Sequence, residues 1–189
     1  HHLAALSFND FKKRLIPFLD ALDLDYSQKN NTDDIIAAMR SSKPNLLGVA
    51  HDLIPYFSEL NSYDEKAANK FLIGSEAVLE YVQRKLNGIE EWNESTIDNA
   101  LKEAQTALSL ATPKLNQPIR IAMTGSTQSP SLGLTLSLFS RDEVNKRIEN
   151  ILGLTVGGQS YDYEYHYVSN NYHLIEVPSF AFGPLNLQP

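Results

Sequence analysis

The residues best suited to holding a ligand lie in one run, Gln117-Pro118-Ile119-Arg120-Ile121-Ala122-Met123-Thr124-Gly125-Ser126-Thr127-Gln128-Ser129-Pro130. Thr124-Gly125 reads as a helix stop, because glycine accepts the left-handed conformation that closes a helix. Ser129-Pro130 reads as a restart, with Ser129 as N-cap and Pro130 at the first helical position. Between them lies a short polar loop rich in hydroxyls. A helix beginning near Ser131 would turn free N–H groups towards that loop, which suits a phosphate or a nucleobase acceptor. On spacing alone the same run also fits a plain connector between two helices.

Charge narrows the kind of partner. The chain of 189 residues carries a formal −7, which argues against a protein that coats nucleic acid without selectivity, since that affinity comes mainly from neutralising phosphates. The distribution is uneven. Residues 113–147 hold Lys114, Arg120, Arg141, Lys146 and Arg147 against Asp142 and Glu143, a net +3. Residues 154–189 hold no Lys or Arg and three acidic residues, Asp162, Glu164 and Glu176. A cationic patch inside an acidic chain fits a targeted contact, although a solvated helix face has the same composition.

Several chemistries are absent from the sequence. With no cysteine there is no disulfide, thiolate metal site or cysteine nucleophile. There is no glycine-rich phosphate loop, no nucleophile elbow and no cluster of metal ligands: His51 lacks a nearby partner, and His166 with His173 do not make a site. No apolar run approaches the roughly 20 residues that span a bilayer, so no membrane contact is expected.

The elements that must position the run are helical. Ser7 caps a helix carrying Phe8, Phe11, Leu15, Phe18, Leu19 and Leu22, with Asp10 in its first turn and Pro17 as a kink point. Thr32 caps a second helix with Ile35, Ile36 and Met39 inside. Pro44 opens a third with Leu46, Leu47, Ala50, Leu53, Ile54 and Phe57 on one stripe. Helices follow without any strand between them: Asp64 to Phe71, then Gly74-Ser75 to Asn87-Gly88 around Val78, Leu79, Val82 and Leu86, then Thr96 onward along Ile97, Leu101, Ala104 and Leu108, with Pro113 closing the run. Trp92 reads as a lid on the core. The last helices span Leu132 to Phe139 and Arg141 to Leu152, the latter with Ser140 and Glu143 as a capping box and Val144, Ile148 and Ile151 facing inward.

The tail changes period. Tyr161, Tyr163, Tyr165 and Tyr167 alternate with Asp162, Glu164 and His166, a period of two that marks a strand, and Ser169-Asn170-Asn171 reads as a turn. A three-residue loop sets Tyr165 opposite Ile175 and Tyr163 opposite Val177, which gathers the apolar members on one face. A lone hairpin is marginal in water, so it must pack on the helices, on a second copy or on a partner. Residues 178–189, with three prolines, read as an extended arm.

The order of these motifs carries a resemblance. Gln117 to Pro130, then Ser131-Leu132, then Arg141-Asp142-Glu143-Val144-Asn145-Lys146-Arg147-Ile148 is similar to the C-terminal anticodon-binding region of bacterial glutamyl-tRNA synthetases. That family typically shows Pro-x-Arg-x-Ala-hydrophobic-Thr-Gly, then Ser/Thr-Pro, then a closing helix with a basic pair. Ala38-Met39-Arg40, Leu46-Leu47 and Asp52 to Phe57 resemble its first helical subdomain, and His1 to Ser7 resembles the segment entering it, which favours native histidines. The resemblance covers about residues 1–152. It implies a mostly α fold with helical subdomains over 1–111 and 112–153, followed by the β-hairpin tail over 154–189.

The resemblance also implies a function. The partner is a glutamate tRNA, the compartment is the cytoplasm, and the parent enzyme is a glutamate–tRNA ligase using ATP and Mg2+. The catalytic motifs are absent here, so this chain is expected to have no catalytic residue and no cofactor of its own. By position the anticodon contacts fall on Arg120, Thr124, Gly125, Ser129, Pro130 and Leu132, with Arg40, Lys43, Lys146 and Arg147 as further candidates. Two positions depart from the family pattern. Ser131 stands where the family often has Gly, and the best register puts Ser42 where it has an arginine that reads the first anticodon position. The tail from Leu154 onward resembles nothing in the family. It supports an alternative of another class, a helical interaction or self-association module working through the tyrosine-rich hairpin.

Overall fold

The computed structural model describes residue 3, residues 5–153 and the backbone of residues 174–176. The chain divides into two compact units, residues 1–59 and 60–189. The first holds three helices, α1 (Phe8–Ala21), α2 (Thr32–Met39) and α3 (Leu46–Phe57). The Ser7 hydroxyl starts α1 by accepting the Asp10 amide at 3.1 Å, and it donates to the Asp10 carboxylate at 2.8 Å. Pro17 lies inside α1, and the helix continues to Ala21.

The core of this unit is Phe11, Leu15 and Leu19 against Ile35, Ile36 and Met39, with both sets packed on α3. The face that α3 buries is Val49, Ala50, Leu53, Tyr56 and Phe57, while Leu47 is 50% exposed. The helical period is therefore as the spacing predicts, but its phase is rotated, because the sides taken by α1 and α2 decide which residues face inward. Asn31, and not Thr32, precedes α2. The Thr32 hydroxyl is committed to the carbonyls of Tyr26 and Lys29.

The second unit contains β1 (Ser62–Asp64), α4 (Glu65–Phe71), α5 (Glu76–Asn87), α6 (Glu94–Ala107), α7 (Thr112–Thr124), α8 (Leu132–Ser137), α9 (Arg141–Leu152) and β2 (Leu174–Glu176). Its central element is α7, which packs against α4, α5, α8, α9 and β1. Leu115, Pro118, Ile119, Ile121, Ala122 and Met123 are all buried, as expected of a helix enclosed on most of its circumference. Pro113 sits in the first turn of α7 and thus opens that helix, where its missing N–H costs nothing, instead of closing α6. The capping box at α9 forms as expected: the Glu143 amide donates to the Ser140 hydroxyl at 3.1 Å and the Ser140 amide to the Glu143 carboxylate at 2.8 Å. At the crossing of α6 and α8 a Cβ on Gly133 would fall 2.1 Å from a carboxylate oxygen of Asp98, so any side chain there has to displace that carboxylate.

A strand does interrupt the helices: β1 pairs antiparallel with β2, setting Tyr63 opposite Ile175 and Ser62 opposite Glu176. The predicted pairing of Tyr165 with Ile175 and of Tyr163 with Val177 involves tyrosines outside the described residues. The division between the two compact units falls after Glu59, and within the second unit α5 packs on α9 and α6 on α8.

Ser140→Ala removes one partner of the α9 capping box and is expected to lower the stability of the second unit by about 1 kcal/mol. Trp92, the single tryptophan of the chain, lies in this unit, so a urea titration followed by its fluorescence checks the shift in midpoint.

Candidate functional site

The loop after α7 is built from its ends inward. Gly125 closes the helix in the left-handed conformation at φ 75°, its amide donating to the Ile121 carbonyl at 2.8 Å. A Cβ at this position would meet the Ser62 carbonyl oxygen at 2.6 Å, so both the dihedral and the contact with β1 exclude a side chain. The Gly125 carbonyl accepts from the Asp64 amide at 2.7 Å, which ties the start of the loop to β1. Thr124 turns its hydroxyl back to the Arg120 carbonyl at 2.9 Å. The Ser126 hydroxyl accepts the Gln128 amide at 3.1 Å and donates to the Gln128 carbonyl at 3.2 Å, so one side chain folds the apex of the loop.

The far end of the loop is clasped by Arg120. Its Nη1 donates to the Ser129 hydroxyl, to the Ser129 carbonyl at 3.1 Å and to the Pro130 carbonyl at 2.6 Å. Thr135, fully buried on α8, donates to the Ser129 hydroxyl at 3.0 Å and lies 3.3 Å from the Pro130 carbonyl. Ser129 is thus taken up by Arg120 and Thr135 and is not the N-cap. Ser131 caps α8 instead, accepting the Leu134 amide and donating to Glu94 at 3.1 Å. With that amide satisfied by its own cap, and only six residues in α8, this terminus is not the anion cradle that the sequence suggests. Leu132 is 5% exposed, so it is buried at the start of α8 and is not part of the loop's surface.

The sequence-predicted residues Arg120, Thr124, Gly125, Ser129, Pro130 and Leu132 therefore come together around one loop. Gln128 and Ser131 are its exposed members, and Ser126 and Thr127 are half-buried. Sequence reasoning missed Thr135 and the Asp64 amide. A lone Thr within Leu132-Gly133-Leu134-Thr135-Leu136 was the available signal, since a buried hydroxyl needs an acceptor.

The cationic patch is largely turned inward. Arg147 is 8% exposed, donates to the Met123 carbonyl, and lies 4.5 Å from the centroid of the Phe139 ring. Arg141 donates to the Ile89 carbonyl at 2.6 Å and to the Asn87 carbonyl at 3.3 Å, and it sits 5.4 Å from the Trp92 ring. Trp92 is itself held as a lid, its indole N–H donating to the Phe139 carbonyl at 2.8 Å. Lys114 and Lys146 are the exposed cations of the patch.

The remaining two candidates belong to the first unit. Arg40 donates to the carbonyls of Leu3 and Leu6 and stacks 5.3 Å from the Phe11 ring, so it fastens the entering segment. Lys43 is 3.8 Å from the Asp52 carboxylate at an exposed site, a pairing worth little in water. Among the described residues no group of three or more His, Cys, Asp or Glu could hold a metal ion. A cavity of about 410 Å³ beside α5 and α6 shares no residue with the loop, and its Lys85 is neutralised by Glu103 at 2.6 Å.

Comparison with known proteins agrees with this arrangement. The family model for the anticodon binding domain matches residues 10–152. The chain is 34% identical over 142 residues to a glutamate–tRNA ligase of Myxococcus xanthus, covering 74% of this chain and 30% of that protein. It is 32% identical over 136 residues to one of Stenotrophomonas maltophilia, covering 71% of this chain and 29% of the other. The chain thus spans about 30% of the length of these curated relatives. A solved glutamate tRNA ligase from Elizabethkingia meningosepticum superposes with a TM-score of 0.70 at 17% identity, over 80% of this chain and 30% of that one, a likeness of fold.

Gly125→Ala forces an L-residue into the left-handed region against the Ser62 carbonyl and is expected to destabilise the second unit by about 2 kcal/mol or more. The Trp92 urea titration reads this loss directly.

Proposed function

The chain belongs to the anticodon-binding domain family, and from that premise we propose that it binds the anticodon arm of a tRNA, of the glutamate class, for a ligase whose catalytic portion is another segment. The observation that carries this reading is the Arg120 clasp, which holds a hydroxyl-rich loop in a fixed shape inside the matched span. Single-stranded loops of RNA are recognised through unstacked bases that are hydrogen-bonded along their edges and laid on protein surface. The half-buried Ser126 and Thr127 and the exposed Gln128 supply donors and acceptors for such edges, and Arg120 fixes the backbone from which they project. Lys114 and Lys146 supply exposed charge for the phosphates on either side.

On this reading the chain selects the RNA, and the ATP- and Mg2+-dependent glutamylation belongs to the catalytic portion. The relatives are named glutamate–tRNA ligases, which supports a glutamate tRNA as the partner. Self-association through the tail is the weaker reading. The one described piece of that tail, β2, is paired with β1 of the same chain.

In a gel shift with glutamate tRNA, Arg120→Ala is expected to weaken binding about tenfold or more, since a charged hydrogen-bonding group is removed from the centre of the loop. Arg120→Lys keeps the charge and loses the planar fork, so it restores only part of the affinity. Binding of the alanine variant as tight as that of the unmodified chain would sink the assignment.

A further inference from the structure

The last turn of α7 has a charge problem that the sequence does not reveal. The carbonyls of a helix C-terminus have no later amide to accept from, and they lie at the negative end of the helix dipole. Here that turn is inside the protein: Ile121, Ala122 and Met123 are fully buried. The Ile121 carbonyl is taken by the Gly125 amide. The Gly125 carbonyl, one step further, is taken by the Asp64 amide at 2.7 Å. The Met123 carbonyl is taken by the Arg147 guanidinium, which reaches it from α9 and packs on the Phe139 ring. Arg147 also lies near Tyr63, the neighbour of Asp64 on β1. Burial pushes the Tyr63 phenol well above its ordinary pKa, and the positive charge of Arg147 pulls the other way.

Resting on the RNA-binding reading above, we infer that Arg147 is a positioning residue for the recognition loop: it fixes the final turn of α7, from which residues 125–131 depart, and makes no phosphate contact. Arg120 lies three residues before Met123, nearly one turn back on the same helix. A displacement of the last turn therefore carries the clasp on Ser129 and Pro130 with it. Arg147 is 8% exposed, and its guanidinium is committed to a helix end and an aromatic ring, which leaves little of it for a phosphate. The basic pair at residues 146 and 147 thus divides its work. Lys146 is exposed on α9, and Arg147 is enclosed beneath the loop.

Salt dependence separates the two roles. Each phosphate contact contributes about 0.7 to the slope of log affinity against log salt for single-stranded RNA, because counterions are released. A positioning residue changes affinity at every salt concentration without changing that slope. With the full chain and glutamate tRNA, Arg147→Met is expected to weaken binding about tenfold with the slope unaltered, since a buried carbonyl loses a charged donor. Arg147→Lys, which keeps a donor and loses the planar stack, should fall between, again with the slope unaltered. Should the methionine variant fail to fold, the lysine variant carries the test, and hydrogen exchange at the amides of 124–128 should be faster than in the unmodified chain. A slope reduced by about 0.7, or an unchanged affinity in both variants, would overturn the inference. Failure of the unmodified chain to bind any tRNA would instead overturn the RNA-binding reading itself.

Discussion

The fold of the second unit answers to one constraint, the need to end a buried helix without stranding its carbonyls. Enclosing Leu115, Ile119, Ile121, Ala122 and Met123 of α7 gains apolar burial but removes water from the helix terminus as well. An unpaired carbonyl in that setting costs about 1–3 kcal/mol. The donors come from separate elements: the Gly125 amide from the cap, the Asp64 amide from β1 and the Arg147 guanidinium from α9. Each therefore has to be brought to the same turn, which is a reason for β1 to exist although it has only three residues. The tight contact between Gly125 and the Ser62 carbonyl follows from the same convergence.

A consequence for function is that the arginines of the basic segment act mainly on the protein. Arg120 holds Ser129 and Pro130, Arg141 holds the chain after α5, and Arg147 holds the end of α7. Guanidinium is suited to this because its planar fork satisfies several carbonyls at once and stacks on rings while remaining charged. What the loop displays is mostly neutral, hydroxyl and amide groups on a backbone with little freedom. A surface of this kind suits the proposed RNA contact by shape and hydrogen bonding, which is compatible with a chain whose net charge of −7 repels nucleic acid in general.

Much of the local structure was legible because capping is local chemistry. Ser7 with Asp10, Asp64 before α4, Gly125 after α7 and the Ser140–Glu143 box all form where residue type and spacing place them. The misplacements share a cause. Ser129 is an acceptable N-cap by type, but Arg120 and Thr135 from other turns claim its hydroxyl, and the cap passes to Ser131. Thr32 is passed over for the same reason, its hydroxyl being taken by the carbonyls of Tyr26 and Lys29. β1 was illegible because Ser62-Tyr63-Asp64 has no alternation long enough to read, and its pairing partner lies over a hundred residues away.

The sequence by itself determined the helical class, most of the helix ends and the family, since the order Pro118-x-Arg120-x-Ala122, Thr124-Gly125, Ser129-Pro130 and the closing basic pair is carried in residue identities. It also marked out the hydroxyl-rich loop after α7. Only the tertiary structure decided which way each cation faces and which side of α3 is buried. It also drew the unit boundary after Glu59. The physical reason is that capping and periodicity involve residues a few positions apart. The direction of a long side chain such as that of Arg147 is set instead by a carbonyl 24 residues away, which only packing brings within reach.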